Sequence, residues 1–241
     1  MNYATRLINA WRARTLKTRS WTMLDAWAGE TVQIDGKTFF RMEDGSLKAA
    51  MSGGGAQGWE ELIDTLTADG TQISNSTSEA LLCPDFNIPA YYMAPGRVLR
   101  LYIAGVMSNV VTTPGTFTLR LRWGGLASGI VLLASAAQGL DTTARTNALW
   151  SADMMVVCRT AGATGTFMSS GTLRQINLLS STAANLLPAM LGSAGTPLAS
   201  GNAAVTVDTT AAKLLSVTGQ FSVATSPTNC TAQIRTIEVL N

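Results

Sequence analysis

The run TFTLRLRW, residues 116–123, decides the fold class. Phe117, Leu119, Leu121 and Trp123 alternate with Thr118, Arg120 and Arg122, a period of two. In an extended chain successive side chains point to opposite faces, so this run buries one face and wets the other. That is a half-buried antiparallel strand. Working outward, apolar-rich runs recur on both sides: LLCPDFNI, RVLRLYIAGVMS, IVLLAS, ALWSADMMVVCR, TFMSSGTLRQINLL, AAVTVD, KLLSVTGQFSVA and AQIRTIEVL. The breaks hold Pro95-Gly96, Pro114-Gly115, Gly124-Gly125, Gly162, Gly165 and Pro227, outside the apolar runs or at their edges, as a sheet requires. About eight or nine strands with no long helical pattern predict an all-β fold of two packed sheets. A closing strand that runs to Val239 suits a jelly-roll-like antiparallel β-sandwich, expected over residues 59–241.

Residues 1–58 differ in character and are expected to form an extended N-terminal arm with a small β-hairpin. Residues 1–24 carry Arg6, Arg12, Arg14, Lys17 and Arg19 and no acid. Removing those five from the 17 basic residues leaves 12 against 15 acidic ones, a body at −3 behind a basic arm. Such an arm suits an acidic contact. Trp11, Trp21 and Trp27, half of the six tryptophans, lie among the cations. Trp and Arg dominate interface hot spots, so these eight side chains are the candidate anchors to a partner. The runs TVQI and KTFF flank Asp35-Gly36, the two-residue signal of a type I′ hairpin. Asp44-Gly45 marks a further turn, and AAMSGGGAQG (residues 49–58) reads as a linker.

Two stretches of the body depart from alternation. Trp59, Leu62, Ile63 and Leu66 fall at i, i+3, i+4 and i+7, a short amphipathic helical turn or two. Residues 178–202 are small and weakly polar, too apolar for a free loop. They read either as a long excursion covering a neighbouring subunit or as a short helix from Ala183 to Leu191.

Composition narrows the chemistry. The 241 residues include no histidine, the commonest general base and a leading metal ligand near neutral pH. Four lysines remain as bases, Lys17, Lys37, Lys48 and Lys213, none in an S-x-x-K spacing; Lys213 reads as a strand-edge charge. The clustered acids Glu43/Asp44 and Glu60/Glu61/Asp64 read as solvated faces. Cys83, Cys158 and Cys230 are an odd number without a CxxC and read as small apolar strand residues kept reduced. The chain is therefore expected to be no enzyme, with no cofactor and no metal. Apolar residues make up 46% and charged residues 13%, about half the usual charged share. An exterior so poor in charge points to buried oligomer interfaces. Arg97, Arg100, Arg120, Arg122 and Arg235 interleave with apolar residues, which reads first as ordinary solvent-facing alternation and otherwise as a stripe on one sheet face that would meet an acidic surface or phosphate. No apolar stretch is long enough for a transmembrane helix, so no membrane partner is expected.

The order CPDFNIPAYYMAPGRVLRLYIAGVMSN, TFTLRLRWGG, TTARTNALW, TAAKLLSVTGQFSVA and IEVLN resembles a pattern in tailed-bacteriophage virion structural proteins. Its elements here are Pro95–Arg100, Leu121–Gly125, Thr146–Trp150 and Thr236–Leu240, and it covers roughly residues 59–241. The resemblance implies a jelly-roll-like body in an assembled particle and no catalytic residues. The expected role is a capsid decoration (cement) protein of the virion, assembled in the host cytoplasm. It would associate with itself, as a homotrimer by analogy with other viral jelly rolls, and clamp the major capsid protein through its arm. Direct nucleic-acid contact is not expected. The alternative is a tail-fibre or baseplate module that binds a host glycan through exposed aromatics, for which Tyr91, Tyr92 and Trp150 are the candidates.

Overall fold

The computed structural model describes residues 31–34, 37–41, 47–50, 60–110, 112–175, 189–193 and 203–240. The chain divides into two compact units, Met1–Gly58 and Trp59–Asn241. In the first, β1 (Thr31–Ile34), β2 (Lys37–Arg41) and β3 (Leu47–Ala50) form an antiparallel sheet in the order β1-β2-β3. Ile34 stands opposite Lys37, the register that the Asp35-Gly36 signal predicts. Ala49 and Ala50, read from sequence as linker, belong instead to β3, where Ala49 pairs with Phe39.

The second unit is all-β. Its strands are β4 (Glu60–Thr65), β5 (Ile73–Ser74), β6 (Ala80–Leu81), β7 (Phe86–Ile88), β8 (Val98–Asn109), β9 (Thr116–Trp123) and β10 (Ile130–Ser135). There follow β11 (Gln138–Gly139), β12 (Arg145–Thr160), β13 (Gly165–Gln175), β14 (Ala189–Ser193), β15 (Val205–Val207), β16 (Lys213–Phe221) and β17 (Asn229–Leu240). Every pairing is antiparallel. One half of the sheet runs β4-β17-β8-β12-β13, the other β10-β9-β16 with β6 and β7 along the far side of β16. Counting only β4, β7, β8, β9, β10, β12, β16 and β17, the two halves read 1-8-3-6 and 2-7-4-5. That is the winding of a jelly roll. β13 is an addition to it, and β14 pairs with both β13 and β10, so the two halves join into one curled sheet.

The halves face each other across an aromatic core. Phe117 of β9 lies 5.2 Å from Phe221 and 6.4 Å from Trp150 of β12, ring centre to ring centre. Trp123 meets Phe167 of β13 edge-on at 4.9 Å. Both indoles are satisfied, Trp123 donating to the Asp208 carbonyl and Trp150 to that of Val106. The alternation that identified β9 is borne out: Phe117, Leu119, Leu121 and Trp123 are all buried. Each such side chain contributes about 1.5–3 kcal/mol by leaving water.

Two sequence expectations are corrected. Residues 60–65 form no helical turn but a strand on the edge of β17, and the Leu66 N–H donates to the Arg235 carbonyl at 2.9 Å. A helix this short cannot offset its own nucleation cost, whereas the exposed edge of β17 supplies ready ladder partners. Residues 189–191, the end of the helix considered over Ala183–Leu191, lie in β14. Among the described residues there is no helix.

Candidate interaction surface

Two β-bulges set the outer face of the β4-β17-β8-β12-β13 half, and both lie against β8. In β17, Ala232 pairs with Gly105 and Ile234 with Ala104, so Gln233 is an extra residue. The inserted residue reverses the alternation that Cys230 and Ala232 begin. Ile234 turns to solvent at 51% exposure, and Arg235 turns inward at 5%. In β12, Arg145 pairs with Asn109 and Ala148 with Met107, again with one residue too many. Asn147 takes the left-handed conformation there (φ 52°), and its N–H donates to the Ser108 hydroxyl at 3.1 Å. Leu149 therefore points outward, 61% exposed, and Trp150 inward. Bulges re-aim side chains in this way and mark functional edges. Gly105 is required opposite the first of them, because a Cβ there would lie 1.9 Å from the Thr231 carbonyl oxygen.

The inward Arg235 is held through its two terminal nitrogens, while its buried Nε has no hydrogen-bond partner among the described residues. It pairs with Asp64, donates to the Pro84 carbonyl and reaches the Cys83 sulfur at 3.3 Å. This guanidinium ties β17 to β4 and to the segment before β7.

On the outward side the strands present a set of large apolar groups among polar ones. Leu62, Tyr102, Leu149, Met155, Met190 and Ile234 are the large ones exposed on this half. Tyr102, Leu149 and Ile234 rim a groove of about 310 Å³ floored by Ala104, Gly105 and Ser151, with Gln233 and Arg174 beside it. Part of the charge on this face is paired within it: Arg100 pairs with Asp153 at 2.8 Å and lies 3.9 Å from Glu238.

The outer face of the other half is built differently. Arg122 makes a two-point pair with Glu79, at 2.6 and 2.7 Å, and donates to the Gly129 carbonyl. Arg120 donates to Gln220 at 2.8 Å and lies 3.3 Å from Glu79. Gln220 in turn donates to the Thr77 carbonyl, so the segment before β6 is tied to β16. Burial acts to raise the Glu79 carboxyl, but hydrogen bonds from Arg122 and Thr218 and the charges of Arg120 and Arg122 outweigh it. Its pKa falls below the ordinary value.

The eight arm residues Arg6, Trp11, Arg12, Arg14, Lys17, Arg19, Trp21 and Trp27 lie outside the described residues. Of the three aromatics considered for a glycan, Tyr91 is 75% exposed, on a left-handed backbone (φ 60°) held by an N–H···O bond to Thr209. Tyr92 is half-buried, with the Arg97 guanidinium 4.6 Å from its ring centre. Trp150 is a correction: at 2% exposure its ring is core, turned there by the bulge at Asn147. The arginines do not form one stripe. Arg100 lies on one outer face, Arg120 and Arg122 on the other, Arg235 inside, and Arg97 beside Tyr92. Lys213 opens β16 between β7 and β9 and points to Asp208 at 3.6 Å, so it guards no sheet edge. Cys83, Cys158 and Cys230 are buried free thiols, and burial pushes all three pKa values up, Cys230 most. Among the described residues no three His, Cys, Asp or Glu side chains gather as a metal site.

No known protein family matches this chain, and no curated protein matches it in sequence. Its surface is read from its own chemistry. Sequence reasoning missed Tyr102, Leu149 and Ile234, because the outward turn of the last two depends on bulges that only strand pairing reveals.

Proposed function

We propose that this chain is a non-enzymatic structural protein of a tailed-bacteriophage virion, a capsid decoration protein. Its jelly-roll body associates with copies of itself, and its basic, tryptophan-bearing arm clamps neighbouring major capsid proteins. The observation that carries this reading is the apolar outer face around Tyr102, Leu149 and Ile234 on a jelly-roll body. A lone soluble subunit gains nothing from such a face, whereas an assembling one buries it. The sequence resemblance and the low share of charged residues support the same reading. A protein that binds only the assembled shell stabilises that shell by mass action.

The test is sedimentation with shells assembled without this protein. Copies per shell should saturate at a fixed stoichiometry, and deletion of residues 2–28 should abolish binding. Absence of shell binding by the full chain overturns the clamp. A second reading, a tail module that binds a glycan, is favoured by one observation, the exposed Tyr91 on its strained backbone. Glycan binding that survives removal of residues 2–28 and is lost in Tyr91→Ala would replace the first reading.

A further inference from the structure

We infer that the outer face of β4-β17-β8-β12-β13 is where one copy of this chain packs against another, with Tyr102, Leu149 and Ile234 as its anchors. The inference deepens the self-association in the proposed function and rests on that reading only for its biological setting. Its test needs no shell, so failure here and failure of shell binding are read separately.

Size comes first. Five strands about 4.8 Å apart, the longest (β12, 16 residues) about 53 Å long and the others about 20–40 Å, make a face of roughly 900 Å². A stable protein–protein contact buries about 800 Å² on each partner, so the face is large enough without help from elsewhere. Shape comes second. The groove is floored by the small residues Ala104, Gly105 and Ser151, while Leu149 and Ile234 project at its rim. A face that carries both the knobs and the hole that receives a knob is complementary to itself, as contact between identical copies requires.

Charge is the third argument. The described charged side chains that strand alternation aims at this face are Arg100, Asp153, Arg159, Arg174 and Glu238. Three are positive and two negative, so the face is close to neutral and two such faces meet with little net repulsion. A strongly acidic or basic partner, by contrast, finds little complementary excess here. The bulges supply the last argument. Both lie against β8, and both have the effect of bringing a large apolar side chain to the rim of one groove. Regular strands cost less, and a bulge that exposes Leu or Ile makes sense where that side chain is covered again.

The experiment is sedimentation velocity on the full chain over a concentration series, with Leu149→Lys and Ile234→Lys singly and together. Leu214→Lys is the control, an exposed leucine on the opposite half of the sheet. The wild type is expected to be oligomeric. Each anchor substitution should weaken association about thirtyfold, and the double variant should be monomeric. Both side chains are solvent-facing in the single subunit, so far-ultraviolet circular dichroism should be unchanged. Leu149→Ser and Ile234→Ser repeat the test should a charged variant misfold. A monomeric wild type overturns the inference, and so does a double variant of unchanged mass. Equal dissociation by Leu214→Lys overturns it as well. Retention of mass by the double variant alongside loss of binding to a different protein would assign the face to that protein instead.

Discussion

The two outer faces of the sandwich solve the same problem in opposite ways. Over β9 and β16, Glu79 binds Arg120, Arg122 and Thr218, and Gln220 bonds to the Thr77 carbonyl, so the polar groups of that face are satisfied within one chain. Over β8, β12 and β17, Tyr102, Leu149 and Ile234 stand in solvent around a groove with nothing of the described body laid over them. An antiparallel sheet with one wet side normally carries polar residues there, and the first face follows that rule apart from Leu214. The second breaks it at Tyr102 by plain alternation and at Leu149 and Ile234 through two bulges. A side chain turned out by an inserted residue has left the core at a cost of about 1.5–3 kcal/mol each, which burial in an assembly returns.

The contrast can be broken most severely from inside the apolar-faced half. Arg235→Ala should lower stability by about 3–5 kcal/mol in denaturant unfolding, because Asp64 is left without its buried partner. A loss below about 1 kcal/mol would mean that the inward turn of β17 is not secured by this pair. Gly105→Ala comes next. Its added methyl would press on the Thr231 carbonyl, and about 2–3 kcal/mol should be lost as β8 and β17 move apart. The same variant should weaken self-association, because the bulge that presents Ile234 is displaced; an unaltered sedimentation profile would uncouple the two.

On the polar face the expected effect is smaller and depends on pH. Glu79→Gln removes a charge-assisted pair and should cost about 1.5–3 kcal/mol at neutral pH. The folded-state pKa of Glu79 lies below its unfolded value, so its stabilisation is present above the ordinary 4.5 and is lost as pH falls below it. Wild type should therefore lose stability through that range more steeply than Glu79→Gln. Asp141 and Asp208, held below their ordinary values by hydrogen bonds from the Thr143 N–H and the Thr210 hydroxyl, keep some acid sensitivity in the variant. Parallel pH curves for the two proteins would remove Glu79 from the account. The smallest effect belongs to Arg100→Ala. Its pair with Asp153 is about two-fifths exposed, and thermal unfolding of a monomeric variant should shift by less than about 1 kcal/mol. A larger shift in the oligomer than in the monomer would sharpen the contrast, since it locates the pair in a contact that excludes water.

Where the sequence reading succeeded, the information was local. Alternation in β9 named four core residues, and the Asp35-Gly36 pair set the register of β1 on β2. Where it failed, a distant partner decided. Leu62, Ile63 and Leu66 satisfy a helical spacing, yet so short a run also fits a strand, and the edge of β17 makes the choice. Trp150 was read as an exposed aromatic and Arg235 as a strand-face charge from residue type alone, and both lie just beyond a bulge that fixes which way they turn. One extra residue inverts every side chain beyond it, and no local pattern announces that insertion. The missed surface residues Leu149 and Ile234 follow from the same two insertions.

The sequence by itself determined the class of this protein: all-β, antiparallel, poor in charge, without histidine chemistry, with a basic front end and a jelly-roll-like body. These are properties of period, composition and turn chemistry, each settled within a few residues. Only the tertiary structure decided which way the side chains face beyond the bulges, which arginines are buried, and which of two outer faces is left apolar. Those outcomes depend on pairing β8 with β12 and β17, strands whose register is set across most of the chain, and so no segment carries them alone.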